Sequence, residues 1–144
     1  MDAEGERMSY QQWLAALCIF RESRGSSAEV WNGIWWVINN RMNDAKRRWP
    51  RTIPGVILEH AQFSSFLQSD PNCVQFPIPT NPPSADWKAF QEICDTVVTV
   101  PPIGTDPVGG ANMYQSMPEG QEPYWVKDAT FTVAFGSVKF YILN

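Results

Sequence analysis

Histidine is almost absent from this chain: His60 stands alone among 144 residues. A Ser-His-Asp triad would have to use it, and Leu58-Glu59-His60-Ala61 contains no nucleophile elbow, so a surface or capping role is the ordinary reading. Cysteine is scarce too. Cys18, Cys73 and Cys94 are odd in number and widely spaced, which excludes a disulfide framework and gives no paired zinc-ligand spacing. Cys18 and Cys94 fall in apolar helical patterns and read as buried free thiols. Positive charge is in deficit, with 11 Lys and Arg against 15 Asp and Glu and a net charge of -4. A chain of that balance has no basic face for phosphate contacts, so nucleic acid is not an expected partner. Lys46-Arg47-Arg48 with Arg51 forms a basic cluster that reads as a solvated loop. No apolar run approaches the roughly 20 residues of a membrane helix, so no membrane insertion is expected. Gly104, Gly109 and Gly110 make neither phosphate-binding fingerprint, and there is no HExxH or EF-hand pattern.

Large apolar residues are plentiful. Hydrophobic residues make up 44% of the chain, with 7 Trp and 8 Phe, enough for one sizeable core in a chain of common single-domain size. Residues 1–8 read as a flexible tail and 9–144 as one domain. Ser9 with Gln12 has capping-box spacing, and Trp13, Leu14, Leu17 and Phe20 give a helical stripe that Gly25 can end in left-handed geometry. Ser26 with Glu29 repeats the capping spacing for a second helix, which carries Val30, Trp31, Ile34, Trp35, Val37, Ile38 and Met42 and ends near Asn43. Thr52 caps a short helix with Pro54 in its first turn, and Gln62-Phe63-Ser64 reads as extended. Residues 67–84 are irregular and proline-rich, and such a long loop is more often functional than idle. Ser84 caps a third long helix, with Trp87, Phe90, Ile93, Cys94 and Val97 on its stripe and Pro101-Pro102 ending it. Ala111 to Gln115 reads as a short strand. Thr130–Phe135 and Val138–Leu143 form a hairpin about Gly136-Ser137, whose leading glycine suits a type II′ turn. Helices first and a small late sheet make the fold α+β.

One acid is placed against local preference. Glu22 lies near the C-terminal end of the first helix, where the helix dipole disfavours a carboxylate. Either it pairs with Arg21 or Arg24, or it has work that uses its proton. Behind it stand Trp13, Leu17, Cys18 and Phe20. A carboxyl group in an apolar pocket can serve as the proton donor of a glycosidase. An ion-pair partner is the plainer alternative.

Phe20-Arg21-Glu22-Ser23-Arg24-Gly25 resembles the acidic A-E-A-R-G motif of the cell-wall hydrolase family typified by spore-cortex lytic enzymes. Further matches follow in order. Asn40-Arg41-Met42 resembles "NRV", and Thr52 to Ile57 resembles "TIxGVI". Gln62-Phe63-Ser64 matches "QFS". Asp106 to Ala111 with Met113-Tyr114 resembles "DPTGGAxxY". Trp125 matches a later tryptophan, and Phe135-Gly136 with Phe140-Tyr141 resembles "IGxHxFY". Together they span residues 13–141. The resemblance implies a lysozyme-like fold, mainly helical with a small late antiparallel sheet, and cleavage of peptidoglycan glycan strands between N-acetylmuramic acid and N-acetylglucosamine. It implies Glu22 as the catalytic acid, with Gln62, Phe63, Ser64, Tyr114 and Trp125 as substrate-binding residues. No metal, no cofactor and a monomeric enzyme go with it.

Three features depart from the family pattern. Arg21 and Ser23 flank Glu22 where the family has small residues, so Arg21 has to point away if Glu22 is to donate a proton. Val138 occupies the place of the closing histidine. The proline-rich loop is longer than expected. A hydrolase would need a second carboxylate, and Asp70 and Asp106 are the candidates by position, although Asp106 also suits a plain turn. Trp49 and Trp125, if exposed, could stack on sugars. The acidic first eight residues lack the apolar core of a signal peptide. The expectation is a phage endolysin that stays in the cytoplasm until a holin releases it, or an enzyme carried in a virion, or else a bacterial wall-remodelling enzyme. The alternatives are a non-catalytic glycan-binding or structural protein that retains the fold, and an intracellular partner-binding module that uses its tryptophans.

Overall fold

Ser9 opens the first helix with a reciprocal cap. Its hydroxyl accepts from Gln12 N at 3.2 Å and Gln12 Oε1 accepts from Ser9 N at 2.9 Å, satisfying amides that a helix start leaves without partners. In the computed structural model, which describes residues 8–59 and 76–144, this helix, α1, spans Tyr10–Ser23. Every residue from Leu14 to Arg21 is buried, as expected of a helix covered on several sides. Around it pack α2 (Ala28–Met42), α3 (Ile53–Leu58) and α4 (Ala85–Thr96). Thr52 caps α3 through Gly55 N, and Ser84 caps α4 through Trp87 N. Trp35, Ile34, Ile38, Ile53, Ile57 and Ile93 fill the core with almost no exposed surface.

The sheet comes late. Strands β1 (Met113–Gln115), β2 (Ala129–Phe135) and β3 (Val138–Leu143) are antiparallel in the order β1-β3-β2. Phe135 faces Val138 across a two-residue turn. Gly136 has φ +60° while Ser137 does not have positive φ, the pattern of a type II′ turn. A bulge between Phe131 and Val133 shifts the register. It lets Phe131 stand opposite Tyr141 and Val133 opposite Phe140, on opposite faces of the sheet. Phe140 is fully buried against the helices. An added Cβ at Gly33 of α2 would come 2.7 Å from Phe140 Cζ and 3.2 Å from Val108 Cγ1, so only glycine lets α2 approach the sheet this closely. The turn before β1 is fastened to α2 by Asp106, which accepts from Val108 N and Gly110 N, each at 2.8 Å, and from Asn40 Nδ2 at 3.1 Å.

Several expectations are corrected in detail. Ser27, not Ser26, caps α2, its hydroxyl accepting from Val30 N. Gly25 is not in the left-handed region. The end of α1 is closed by Ser26 N donating to Ser23 O at 2.9 Å and by Trp31 Nε1 donating to the same carbonyl at 2.7 Å. Helix α4 stops at Thr96, before the prolines reach it, and β1 starts at Met113; just before it, Asn112 N donates to Tyr141 O at 3.0 Å and the Asn112 side-chain oxygen accepts from Leu143 N. Trp49 is only 8% exposed, held between the guanidinium groups of Arg41 and Arg48, so it cannot stack on a sugar. Of the basic cluster, Arg48 is structural: it grips Asp44 through Nε and Nη2 and donates to Asn144 O at 3.1 Å. Cys18 is buried, Cys94 half-buried, and both are free. His60, Gln62, Phe63, Ser64, Asp70, Cys73 and the tail before residue 8 lie outside the described residues.

Two expectations for stability follow. Gly33→Ala should destabilise the protein by about 1–3 kcal/mol through overpacking against Phe140, read as a lower urea midpoint at unchanged slope. The Arg48 hydrogen bonds hold the Asp44 carboxyl down from 3.8 to about 2. Its stabilisation is therefore complete above the unfolded value and lost as pH falls towards about 2. The stability gap between wild type and Asp44→Asn, followed by urea unfolding, should close over that interval.

Candidate active site

The last turn of α1 presents Glu22, half-buried, towards β1. The indole of Trp31 and the Ser23 hydroxyl, which donates to Ile19 O at 3.2 Å, fix that turn. Tyr114 on β1 donates its hydroxyl hydrogen bond to Glu22 Oε1 at 3.0 Å, joining residues 92 positions apart. Tyr114 keeps some surface, but its hydroxyl end is enclosed. Burial first, and then the Glu22 charge, push the phenol well above its ordinary value of 10, so at neutral pH it remains a donor.

A buried cation lies below this pair. Arg41 on α2 is 4% exposed and donates from Nε to Asn112 O at 2.7 Å and from Nη2 to Met113 Sδ at 3.5 Å. Both acceptors immediately precede Tyr114, so Arg41 sets the start of β1. Burial lowers its pKa, while Tyr114, Cys18 and Glu22 counter that effect. Cys18 lies one turn before Glu22, and burial raises its thiol far above the ordinary value. It stays protonated and adds no charge to the site.

Three adjoining cavities meet around the acid. One of about 140 Å³ is lined by Glu22, Ser23, Tyr114, Gln115, Ser116 and Val138 among others. A second, of about 440 Å³, runs between the α1–α2 turn and the hairpin, with Ser26, Ser27, Phe135, Ser137 and Val138 in its wall. The third, about 450 Å³, lies on the other side of the acid and is lined by residues 21–26 with Asp86. Ser26 borders all three. Glu22 therefore stands in the middle of a groove.

Arg21 is buried, with its guanidinium carbon 4.7 Å from the Phe76 ring centroid. The ion pairs among the described residues are Arg24–Asp86 and Arg48–Asp44, so neither flanking arginine is ion-paired to Glu22. Val138 lines two of the cavities, which puts an aliphatic side chain where the resemblance leads one to expect an imidazole. Asp106 is used up in its turn. Trp125, in the 3₁₀ turn Tyr124–Asp128, packs edge-on to Tyr141 at 5.4 Å. Tyr141 projects from the sheet face opposite Phe140 and Tyr114, so Trp125 is not brought to Glu22. Sequence reasoning missed Asp86, Ser26 and Ser137. Each is an ordinary cap or turn residue locally and enters the groove only through packing. Among the described residues no three or more of His, Cys, Asp and Glu gather as a metal cluster.

The sequence pattern of one family, described as cell wall hydrolase, matches residues 25–141. The chain belongs to the cell wall hydrolase family. That match begins three residues after Glu22. The catalytic domain of the Bacillus cereus SleB protein superposes with a TM-score of 0.64 at 24% identity, over 94% of this chain and 93% of that one. The catalytic domain of the germination-specific lytic transglycosylase SleB from Bacillus anthracis gives 0.64 at 23% identity, over 94% and 98%. These likenesses show a shared fold. No curated protein matches the chain. Among the described residues of this hydrolase, no helix is long and apolar enough to cross a membrane.

Tyr114→Phe removes the hydroxyl that orients Glu22 and keeps the ring packed on Phe140. Activity on cell-wall substrate should fall by about 10-fold or more, the worth of a hydrogen bond to a charged group. Circular dichroism and the thermal midpoint should show an intact fold. Full activity would separate the phenol from the work of the acid.

Proposed function

We propose that this protein cleaves the glycan strand of peptidoglycan between N-acetylmuramic acid and N-acetylglucosamine, as a lytic transglycosylase, with Glu22 as acid and then base. The supporting observation is Glu22 itself: half-buried, oriented by Tyr114, and central to a groove. Glu22 gives its proton to the glycosidic oxygen as the bond to muramyl C1 breaks. The resulting carboxylate then takes the proton of the muramyl C6 hydroxyl as that oxygen closes on C1. The 1,6-anhydro product needs no water and no second acid. Val138 and Phe135 give the groove wall an apolar lining in keeping with that route. We further propose that residues 9–144 act as one monomeric catalytic domain, with Gln62, Phe63 and Ser64 among its substrate-binding residues. Release through a phage holin or carriage in a virion remains our proposal for how the enzyme reaches the wall.

A hydrolytic variant of this reading would need a second carboxylate at the site, and among the described residues it finds none well placed. Asp86 is the other carboxylate lining the cavities beside Glu22 among the described residues. Its pairing with Arg24 and its 62% side-chain exposure make it a poor nucleophile or base for a water held at the sugar.

Glu22→Gln keeps the shape and removes the transferable proton. Release of soluble fragments from purified peptidoglycan should drop at least about 100-fold, the scale of general acid–base catalysis, with the thermal midpoint maintained. Wild-type digestion in ¹⁸O-water should give anhydro-muramyl ends without the label by mass spectrometry. Labelled reducing ends would identify a hydrolase, and unchanged release by Glu22→Gln would reject the acid.

A further inference from the structure

Beside the acid, the cavity of about 140 Å³ has walls that divide by polarity. Val30 and Ile34 of α2 lie at its floor, 2% and 0% exposed, and Val138 of β3 adds a third aliphatic side chain. The exposed Ser26, Ser116 and Ser137 stand at its rim. Two other polar walls are engaged elsewhere: the Ser23 hydroxyl donates to Ile19 O, and the Gln115 amide donates to Tyr141 Oη and accepts from Met117 N. Glu22, held by the Tyr114 hydroxyl, is the one charged side chain in this lining. Ser26, Val30, Ser137 and Val138 also line the cavity of about 440 Å³ towards the hairpin, whose walls carry no ionisable side chain. A group seated in the small cavity is thus attached to a larger neutral body in the wide one.

A charged group gains nothing from three aliphatic side chains, and a purely apolar one leaves the rim serines without partners. A short neutral amide with a methyl end suits both. A six-carbon ring fills a cavity of roughly 150 Å³, so about 140 Å³ takes an acetamido group and excludes a benzoyl amide. We propose that this cavity is an acyl subsite that takes the 2-acetamido group of the hexosamine lying towards the hairpin, its methyl on Val30, Ile34 and Val138 and its amide among the rim serines. This deepens the glycan-cleaving reading and rests on it. It makes the preferred substrate a fully N-acetylated strand, and it makes Val138 a specificity-determining residue. A strand stripped of its acetyl groups brings an ammonium against that aliphatic floor and next to Glu22, where a cation favours the carboxylate over the acid.

The experiment measures binding by the Glu22→Gln protein, so cleavage does not enter. Soluble strands are de-N-acetylated and re-acylated from one batch with formyl, acetyl or benzoyl groups, which keeps charge and length equal. N-acetyl strands should bind about fourfold more tightly than N-formyl strands, the worth of one buried carbon. They should bind about tenfold more tightly than N-benzoyl strands, the scale of overfilling a packed site. Val138→Ala in the same background should lower the ratio of acetyl to formyl affinity and let the benzoyl strand gain on both. If Val138→Ala fails to fold by circular dichroism, Val138→Ile decides by a further loss of the benzoyl strand alone. Equal affinity for the three acyl forms, or an order that Val138 variants do not alter, would overturn the subsite. Wild-type protein that ranks the strands as expected but releases no fragments would overturn the catalytic reading alone, and failure to bind any strand would overturn both.

Discussion

The hydrogen bond from Tyr114 to Glu22 ties the helical part of the chain to its sheet at the point where chemistry is expected. A carboxyl group at a helix C-terminus faces the negative end of the dipole, and solvation alone would leave it mobile. The phenol gives it one strong, directed partner from a rigid strand. Everything nearby serves that contact. Trp31 holds the turn that carries Glu22, and Arg41 holds the two residues before Tyr114. Gly33 lets Phe140 come close enough to α2 to support the tyrosine ring. Burial keeps the phenol protonated and Cys18 neutral.

Much of this architecture was legible in the chain because it is local. Capping pairs at Ser9 and Ser84, the threonine before Pro54, and the glycine leading the hairpin turn each act over three or four residues. The physics that sets them does not depend on the rest of the fold. Glu22 stood out for a related reason: a glutamate at a helix end breaks a local rule, and departures of that kind concentrate at working sites. The resemblance to cell-wall hydrolases agrees with the family match over residues 25–141.

What could not be read depends on distant partners. Nothing near Trp31 announces that its indole would replace a left-handed glycine at the end of α1. Trp49 could have stacked on a sugar if exposed, yet Arg41 and Arg48 cover its ring and it is buried. Trp125 sits at a plausible place in sequence, but the β2 bulge and strand alternation put it against Tyr141, on the far side of the sheet from Glu22. Asp86 resembles any acidic residue in the first turn of a helix until α4 packs beside α1 and brings it to Arg24.

The strand order carries one more implication. Tyr114 lies on an edge strand only three residues long, and among the described residues its partner in the sheet is β3. Without that strand, β1 has no ladder to join and the phenol has no fixed place. The Glu22–Tyr114 contact is therefore conditional on the whole sheet: anything that unzips β3, even far from α1, releases the phenol from the carboxyl group.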